Sequence, residues 1–303
     1  MKGNKKLIVV VPAYNEEKTI AKTITELKKQ KNLVKGFELL VYVVNDGSKD
    51  NTLAEAKKAG ADKIVNHKVN RGLGAAIRSG LTAARNDKAD IAIKFDADLQ
   101  HDPADIKEII KPIVEDNADI VYGKRFDKIE YRMPVVRRLG NIFFTKLMCL
   151  MTGWPLKDSQ PGIFAVNADY LSLFFLPGDY NYTQQVLLDA YYNGMRFEHV
   201  AVSFRKRNTG KSFVSMKYPF KVFYQILLLL ICYKPMKFFS SLGFLSLITA
   251  LIIIAYEMFR WLTGITGKPV VHVNAVMVLI LIGSQFFFFG LLAELMVLLN
   301  RKR

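Results

Sequence analysis

The chain has 303 residues, a formal net charge of +16 and 51% hydrophobic residues. That length allows one large domain with an appendage; the apolar content excludes a disordered nucleic-acid binder, and the charge is unusual for an ordinary soluble enzyme. The two cysteines, Cys149 and Cys232, have no Cys or His at metal-ligand spacing near them and read as packed thiols of a reducing compartment.

The opening "MKGNKKLIVVVP" mimics a signal peptide, but Pro12 ends the apolar run before any small-residue cleavage site. A first strand behind a basic leader is the expectation. From there to residue 125, short continuous apolar runs alternate with helix-like stretches. The runs are 7–12, 38–46, 62–66, 90–96 and 119–123, as expected of strands buried on both faces. Between them lie "NEEKTIAKTITELKKQ", "SKDNTLAEAKKAG", "GAAIRSGLTAAR" and "PADIKEIIKPIVED", the last with Pro103 at a first-turn position. Such alternation predicts an α/β fold with a mostly parallel, doubly wound sheet and ligands beyond the carboxyl ends of its strands.

Further along, "RRLGNIFFTKLMCLMTG" (137–153) begins basic and turns apolar, which suits a helix lying in a headgroup layer or packed in a core. Residues 216–239 form a second amphipathic stretch, which Pro235 breaks from the longer apolar run behind it. Two runs, about 241–262 and 270–299, each reach the roughly 20 apolar residues of a bilayer-crossing helix. The link "TGITGKP" between them predicts a hairpin. Lys234 and Lys237 precede the first run and Arg301, Lys302 and Arg303 follow the second, against Lys268 in the link, so both termini are expected on the cytoplasmic side. Attraction to anionic lipid then accounts for much of the basic excess, and nucleic acid is not an expected partner. Small residues in "LIGSQFFFFG" suit span-to-span packing and allow a homo-oligomer.

The strand ends carry the chemistry. "PAYNEE", "NDGSKDNT", "NHKVNRGLGAA" and "DADLQHDP" follow the first four strands in turn. Asp96, Asp98 and Gln100 alternate, so in an extended chain their oxygens would converge on one side. Two unpaired carboxylates and an amide are hard oxygen donors, which suit magnesium or manganese. "NDGS" alone is ordinary turn chemistry, and "NRGLGAA" lacks the Lys-Ser/Thr of a phosphate loop. His67, His199 and His272 read as packing or surface residues, and His101 as a support for the aspartate loop.

In that order and spacing, "VVPAYNEEKTI", "VVNDGSKDNT", "NRGLGAAIRSG" and "DADLQHDP" resemble the GT-A glycosyltransferases of family 2. "DADLQH", "KDSQPGIFAV" and "FRKRNTGKS" resemble its dolichyl- or polyprenyl-phosphate hexosyltransferases in particular, over about residues 5 to 215. The resemblance implies a GT-A catalytic domain (1–215, with an interfacial helix at about 134–152), a juxtamembrane helix (216–239) and two membrane spans (240–303). It implies a nucleotide-diphosphate sugar bound by Pro12, Ala13, Tyr14, Asn15, Glu16, Asp46, Gly47, Ser48, Arg71, Gly72, Asp96 and Ala97. Mg2+ or Mn2+ would sit on Asp96, Asp98 and Gln100. The lipid phosphate would meet Arg125, Arg137, Asn141, Arg207, Lys211 and Ser212, with Asp98, Asp158, Arg125, Arg137 and Arg207 as the catalytic set. "YTQQ" places Gln184 and Gln185 where hydroxyl-using relatives carry an acid, which fits an acceptor that is already a phosphate anion. On resemblance, UDP-glucose or UDP-N-acetylglucosamine is favoured over GDP-mannose. The alternatives are a processive or hydroxyl-acceptor glycosyltransferase, a catalytically silent membrane scaffold, and a phospho-accepting aspartate switch; the last leaves "PAYNE" and the hairpin without a role.

Overall fold

The continuous apolar runs become the middle of a sheet. The computed structural model describes residues 5–32, 36–124, 135–179, 182–204 and 218–301. Seven strands, β1 (Lys5–Ala13), β2 (Phe37–Asn45), β3 (Lys63–Asn66), β4 (Ile91–Lys94), β5 (Ile120–Lys124), β6 (Phe164–Asn167) and β7 (Phe197–Ala201), lie in the order β3-β2-β1-β4-β6-β5-β7. The first five are the strands that the apolar runs predict. Sequence reasoning missed β6 and β7, each four or five residues long. β6 is the one antiparallel member, wedged between β4 and β5.

Leu7 to Val11 of β1 are fully buried, because helices cover both faces. These helices are α1 (Ile20–Lys29), α2 (Thr52–Lys58), α3 (Leu73–Asn86), α4 (Ile106–Val114), α5 (Val135–Thr152), α6 (Ala168–Leu173) and α7 (Tyr182–Tyr192). In α1, Ile20, Ile24 and Leu27 recur at helical spacing and are buried, and Lys28 and Lys29 complement the negative end of the helix. β1 pairs in parallel with β2 on one side and β4 on the other. The order therefore reverses between β1 and β4, and a crevice opens beyond their carboxyl ends.

α5 divides its faces. Asn141, Phe144, Thr145 and Met148 are buried, whereas Ile142, Phe143 and Leu150 are exposed. α5 thus presents apolar groups on both faces. Cys149 Sγ donates to Leu156 O, but Cys232 is exposed, so only one of the two thiols is packed as expected.

The chain divides into two units, up to Gln225 and from Ile226 onward. α8 (Tyr218–Tyr233) ends short of the residue 239 expected for the juxtamembrane helix; Lys234 leaves the helical conformation, and Pro235 opens α9 (Pro235–Leu262) at a position where its missing N–H costs nothing. α10 (Val273–Arg301) returns against α9. Both are long and apolar enough to cross a membrane, with only 11% and 17% of their most apolar windows buried. Core helices of a soluble protein would bury most of that surface. Small residues serve the contact between these two helices: Gly243 abuts Gly283 O, Gly290 lies against Phe239 and Met236, and Ser246 Oγ donates to Leu279 O at 2.7 Å. Gly283 and Gly290 of the stretch "LIGSQFFFFG" thus pack α10 against α9.

Each apolar helix holds one carboxylate, and each carboxylate caps the other helix. Glu257 accepts from Val271 N and His272 N at the start of α10, and Glu294 accepts from Met236 N at the start of α9. A backbone donor without water needs such a partner, which explains two acids in otherwise apolar runs.

Gly80 is where α3 presses on the sheet. A Cβ there would overlap Val10 Cγ1 and lie 3.1 Å from Val44 Cγ2. Gly80→Val is expected to destabilise the protein by about 1–3 kcal/mol, as overpacking does, seen as a lower thermal midpoint of the detergent-solubilised chain.

Candidate active site

Four loops leave the carboxyl ends of β1 to β4, and the chain stitches them to one another. Asn15, in a left-handed conformation at φ 54°, donates its N–H to Ser48 Oγ at 3.0 Å and accepts from Lys49 N at 2.9 Å. Asp46 N donates to Ala13 O. Asp50 accepts from Glu17 N and Thr52 N, and Glu16 N donates to Thr52 Oγ1. Gly47 adopts φ 68°, and a Cβ on it would strike the Val69–Asn70 backbone. Only glycine fits that crossing.

Asp46 is buried, and both its oxygens are engaged. Oδ1 accepts from Arg71 N and faces His67 Nδ1 at 2.7 Å; Oδ2 accepts from Gly72 N at 2.8 Å. His67 Nε2 in turn meets Ser79 Oγ at 2.9 Å. As placed, Asp46 fixes the "NRG" loop. Gly72 opens α3 at φ 92°, while the exposed Arg71 side chain lines a cavity of about 440 Å3 with Arg78 and Ser79. Pro12 and Ala13 are buried in β1, Tyr14 and Glu16 are half-buried, and Asn15 is exposed at the crevice.

The aspartate loop departs from the expected extended form. β4 ends at Lys94, residues 97 and 98 turn, and Leu99 takes φ 62°. Period-two alternation brings Lys94 to Asp96. The Lys94 side chain is fully buried. Its Nζ donates to Asp96 Oδ1 at 2.6 Å and to Gly162 O at 2.5 Å, and it lies 5.4 Å from the Tyr182 ring centroid. Burial opposes charging this amine, but Asp96 and Tyr182 outweigh it and hold the ammonium above the usual lysine range. Sequence reasoning missed Lys94. Its signal was a lone cation in the apolar strand "IAIKFD", two residues before an aspartate.

Asp96, Asp98 and Gln100 are each half-buried, and Gln100 N donates to Asp98 Oδ1 at 3.1 Å. Ala97 is buried, its carbonyl accepting from Thr23 Oγ1. His101 is buried under the loop, between Phe95 and Phe204, with Nε2 3.8 Å from Asp96 Oδ2. Among the described residues no three His, Cys, Asp or Glu form a closed metal cage. Two carboxylates and an amide oxygen make an open, hard donor set, and this fits a magnesium-like cation that takes its remaining ligands from phosphate and water.

Asp158 is fully buried. Its Oδ1 accepts from Gln160 N at 2.9 Å and from Asn141 Nδ2 at 3.2 Å, so it joins α5 to the "QPG" turn. Asn141, also buried, completes this contact next to Thr145 and Ser159. Gln185 grips Gly178 from both sides, accepting from its N–H and donating to its carbonyl, while Gln184 is buried beside Thr183. Arg125, Arg207, Lys211 and Ser212 lie outside the described residues, as does the side chain of Arg137 on α5.

Residues 8–174 match Glycosyl transferase family 2. The chain belongs to that family and is a glycosyltransferase. An uncharacterized protein of Methanocaldococcus jannaschii is 38% identical over 201 residues, 65% of this chain and 80% of that one. The UDP-N-acetylglucosamine–dolichyl-phosphate N-acetylglucosaminyltransferase of Methanococcus voltae is 29% identical over 250 residues, covering 75% of this chain and 97% of its own. Among solved structures, glucosyl-3-phosphoglycerate synthase from Mycobacterium tuberculosis with Mg2+ and uridine diphosphate superposes at a TM-score of 0.57. It is 23% identical, with 76% of this chain and 79% of that one covered, and it establishes the GT-A fold.

His199 gives the site region a pH dependence. Its Nε2 accepts from Lys157 N at 3.0 Å, its ring stands edge-on to Phe197, and burial pushes its pKa down to about 4. The folded protein thus takes up this proton less readily than the unfolded chain, whose histidine titrates near 6.5. Stability from this group is complete above that value and is lost as pH falls toward 4. At roughly 1.4 kcal/mol per unit, the loss is on the order of 3 kcal/mol. Thermal midpoints between pH 7 and 4 are expected to fall less steeply for His199→Gln than for the wild type.

Proposed function

We propose that this glycosyltransferase moves a hexose from a nucleotide-diphosphate sugar onto dolichyl or polyprenyl phosphate at the cytoplasmic face of a membrane. The observation that carries this reading is one chain that combines an oxygen-donor edge, Asp96 to Gln100, with two helices of bilayer length. The Methanococcus voltae relative, named for a dolichyl-phosphate acceptor, supports the acceptor, and its UDP-N-acetylglucosamine supports a UDP-sugar over GDP-mannose. The exposed apolar residues of α5, Ile142, Phe143 and Leu150, suit a helix resting on lipid. The lysines before α9 and the basic end after α10 favour cytoplasmic termini.

The chain's own groups divide the work. The loops after β1 and β2, from Tyr14 to Glu16 and around Gly47 and Ser48, form the nucleotide cradle, with Asp46 holding its far wall through Arg71 N and Gly72 N. Asp96, Asp98 and Gln100 would hold Mg2+ or Mn2+. When bound, the cation neutralises charge on the departing nucleoside diphosphate. Arg125, Arg137, Arg207 and Lys211 supply the cations for the lipid phosphate, for which the guanidinium fork is suited, and Ser212 a hydroxyl donor. Asp158 acts through Asn141 and the "QPG" turn, keeping α5 aligned with the aspartate loop.

The acceptor needs no base from the protein, because a phosphate monoester is largely dianionic near pH 7. The first turn of α7 agrees: Gln184 and Gln185 are amides, and Gln185 is committed to Gly178. The phosphate oxygen attacks the anomeric carbon from the side opposite the diphosphate; the C–O bond to the donor breaks, and the product carries the inverted configuration.

Membranes containing the protein, given polyprenyl phosphate and labelled UDP-glucose, UDP-N-acetylglucosamine or GDP-mannose in turn, are expected to yield a lipid-phosphate sugar from a UDP donor. Label appearing on diacylglycerol or a growing glycan, with polyprenyl phosphate left untouched, overturns the acceptor assignment. Asp98→Ala is expected to lower transfer roughly 100-fold or more, the scale of removing one preorganised electrostatic group.

A further inference from the structure

We propose that Lys94 is a positioning residue for the diphosphate–cation edge: its ammonium sets the aspartate loop in its working geometry and cancels part of that loop's charge before any ligand arrives. This role rests on the reading of Asp96 and Asp98 as the cation-binding carboxylates. Lys94 itself is fully buried behind that edge.

Lys94 is the last residue of β4 and is paired in register with Val10 of β1 and Phe164 of β6. An apolar side chain would fill that place at no electrostatic cost, whereas a buried ammonium is tolerated only when its donors are satisfied. Its partners come from three separate segments. Asp96 Oδ1 at 2.6 Å belongs to the loop after β4, Gly162 O at 2.5 Å to the turn before β6, and the Tyr182 ring to the start of α7. One amine therefore fixes the aspartate loop to the two segments that flank it from later in the chain.

The contact also sorts the two oxygens of Asp96. Oδ1 is taken by the ammonium. Oδ2 is left beside His101 Nε2, at 3.8 Å, and close to Gly162, where a Cβ would come within 2.9 Å of it. The Asp96 side chain keeps 27% of its surface exposed against 1% for Lys94, so the carboxylate faces the crevice and the amine stands behind it. A ligand group that is fixed in advance loses less freedom on binding.

The charge has its own consequence. Lys94 sets one positive charge directly against the Asp96 carboxylate. A divalent cation alone meets a carboxylate whose charge is already partly offset, whereas a cation with a nucleoside diphosphate brings further negative charge with it. Lys94 should thus strengthen the linkage between cation and nucleotide.

The test uses the full chain in detergent and measures the Kd of UDP and of GDP by calorimetry, with and without saturating Mn2+. Lys94→Met removes the donors and keeps the bulk; Lys94→Gln keeps amide donors without charge and provides a second variant should the first not fold. With Mn2+, Lys94→Met is expected to bind the responsive nucleotide roughly 10- to 100-fold more weakly, the range for outer partners of metal ligands. Metal-free binding should stay within about twofold, and Lys94→Gln should fall between Lys94→Met and the wild type. If both variants match the wild type with Mn2+, or lose affinity equally with and without it, Lys94 does not position the edge. If the wild type itself shows no effect of Mn2+ on either nucleotide, the functional reading of the aspartates fails, and the role of Lys94 with it.

Discussion

A carboxylate that accepts backbone N–H groups is the unit from which the working edge of this protein is built. Asp46 takes Arg71 N and Gly72 N, Asp50 takes Glu17 N and Thr52 N, and Asp158 takes Gln160 N. Asp189 takes Phe175 N, and Asp105 takes Ser203 N. Each bond is charge-assisted, and each fixes a loop that has no strand of its own to hold it. In a chain with 43 basic and 27 acidic residues, many of the acids are thus committed to shape. Asp96 differs in taking a side-chain ammonium, that of Lys94, on one oxygen.

The same logic runs through the apolar unit. Glu257 and Glu294 would be costly in two bilayer-length helices if they lacked partners. Each finds the free N–H groups at the start of the opposite helix, so two polar deficits cancel, and the antiparallel pairing is fixed in register. Gly243 and Gly283 let the two backbones come close between these caps.

Function follows from the point where the sheet reverses. β1 and β4 are neighbours, so the "PAYNE" loop and the aspartate loop flank one crevice although they lie some eighty residues apart in sequence. β6 inserts antiparallel beside β4 and delivers the "QPG" turn to the same place, where Gly162 leaves no room for a side chain against His101.

The sequence by itself determined the first five strands, the helices between them and the two long apolar helices. Burial on both faces and bilayer length impose continuous apolar runs that can be read without coordinates. It also placed the loops after β1 to β4 at one edge, because every parallel strand must send its next loop to the same end. Tertiary structure alone decided how those residues are used. β6 and β7 fall outside the strand–helix alternation of the first 125 residues, and pairing with β4 and β5 makes them strands. Asp46 reads as a ligand for nucleotide in the sequence; in the fold its oxygens also hold backbone that lies 25 residues on. Lys94 shows the limit most plainly. Its parity with Asp96 was visible, but its worth depends on Gly162 and Tyr182, which the fold brings from 68 and 88 residues away. Local spacing records which side a residue faces; what it meets there is a property of the closed chain.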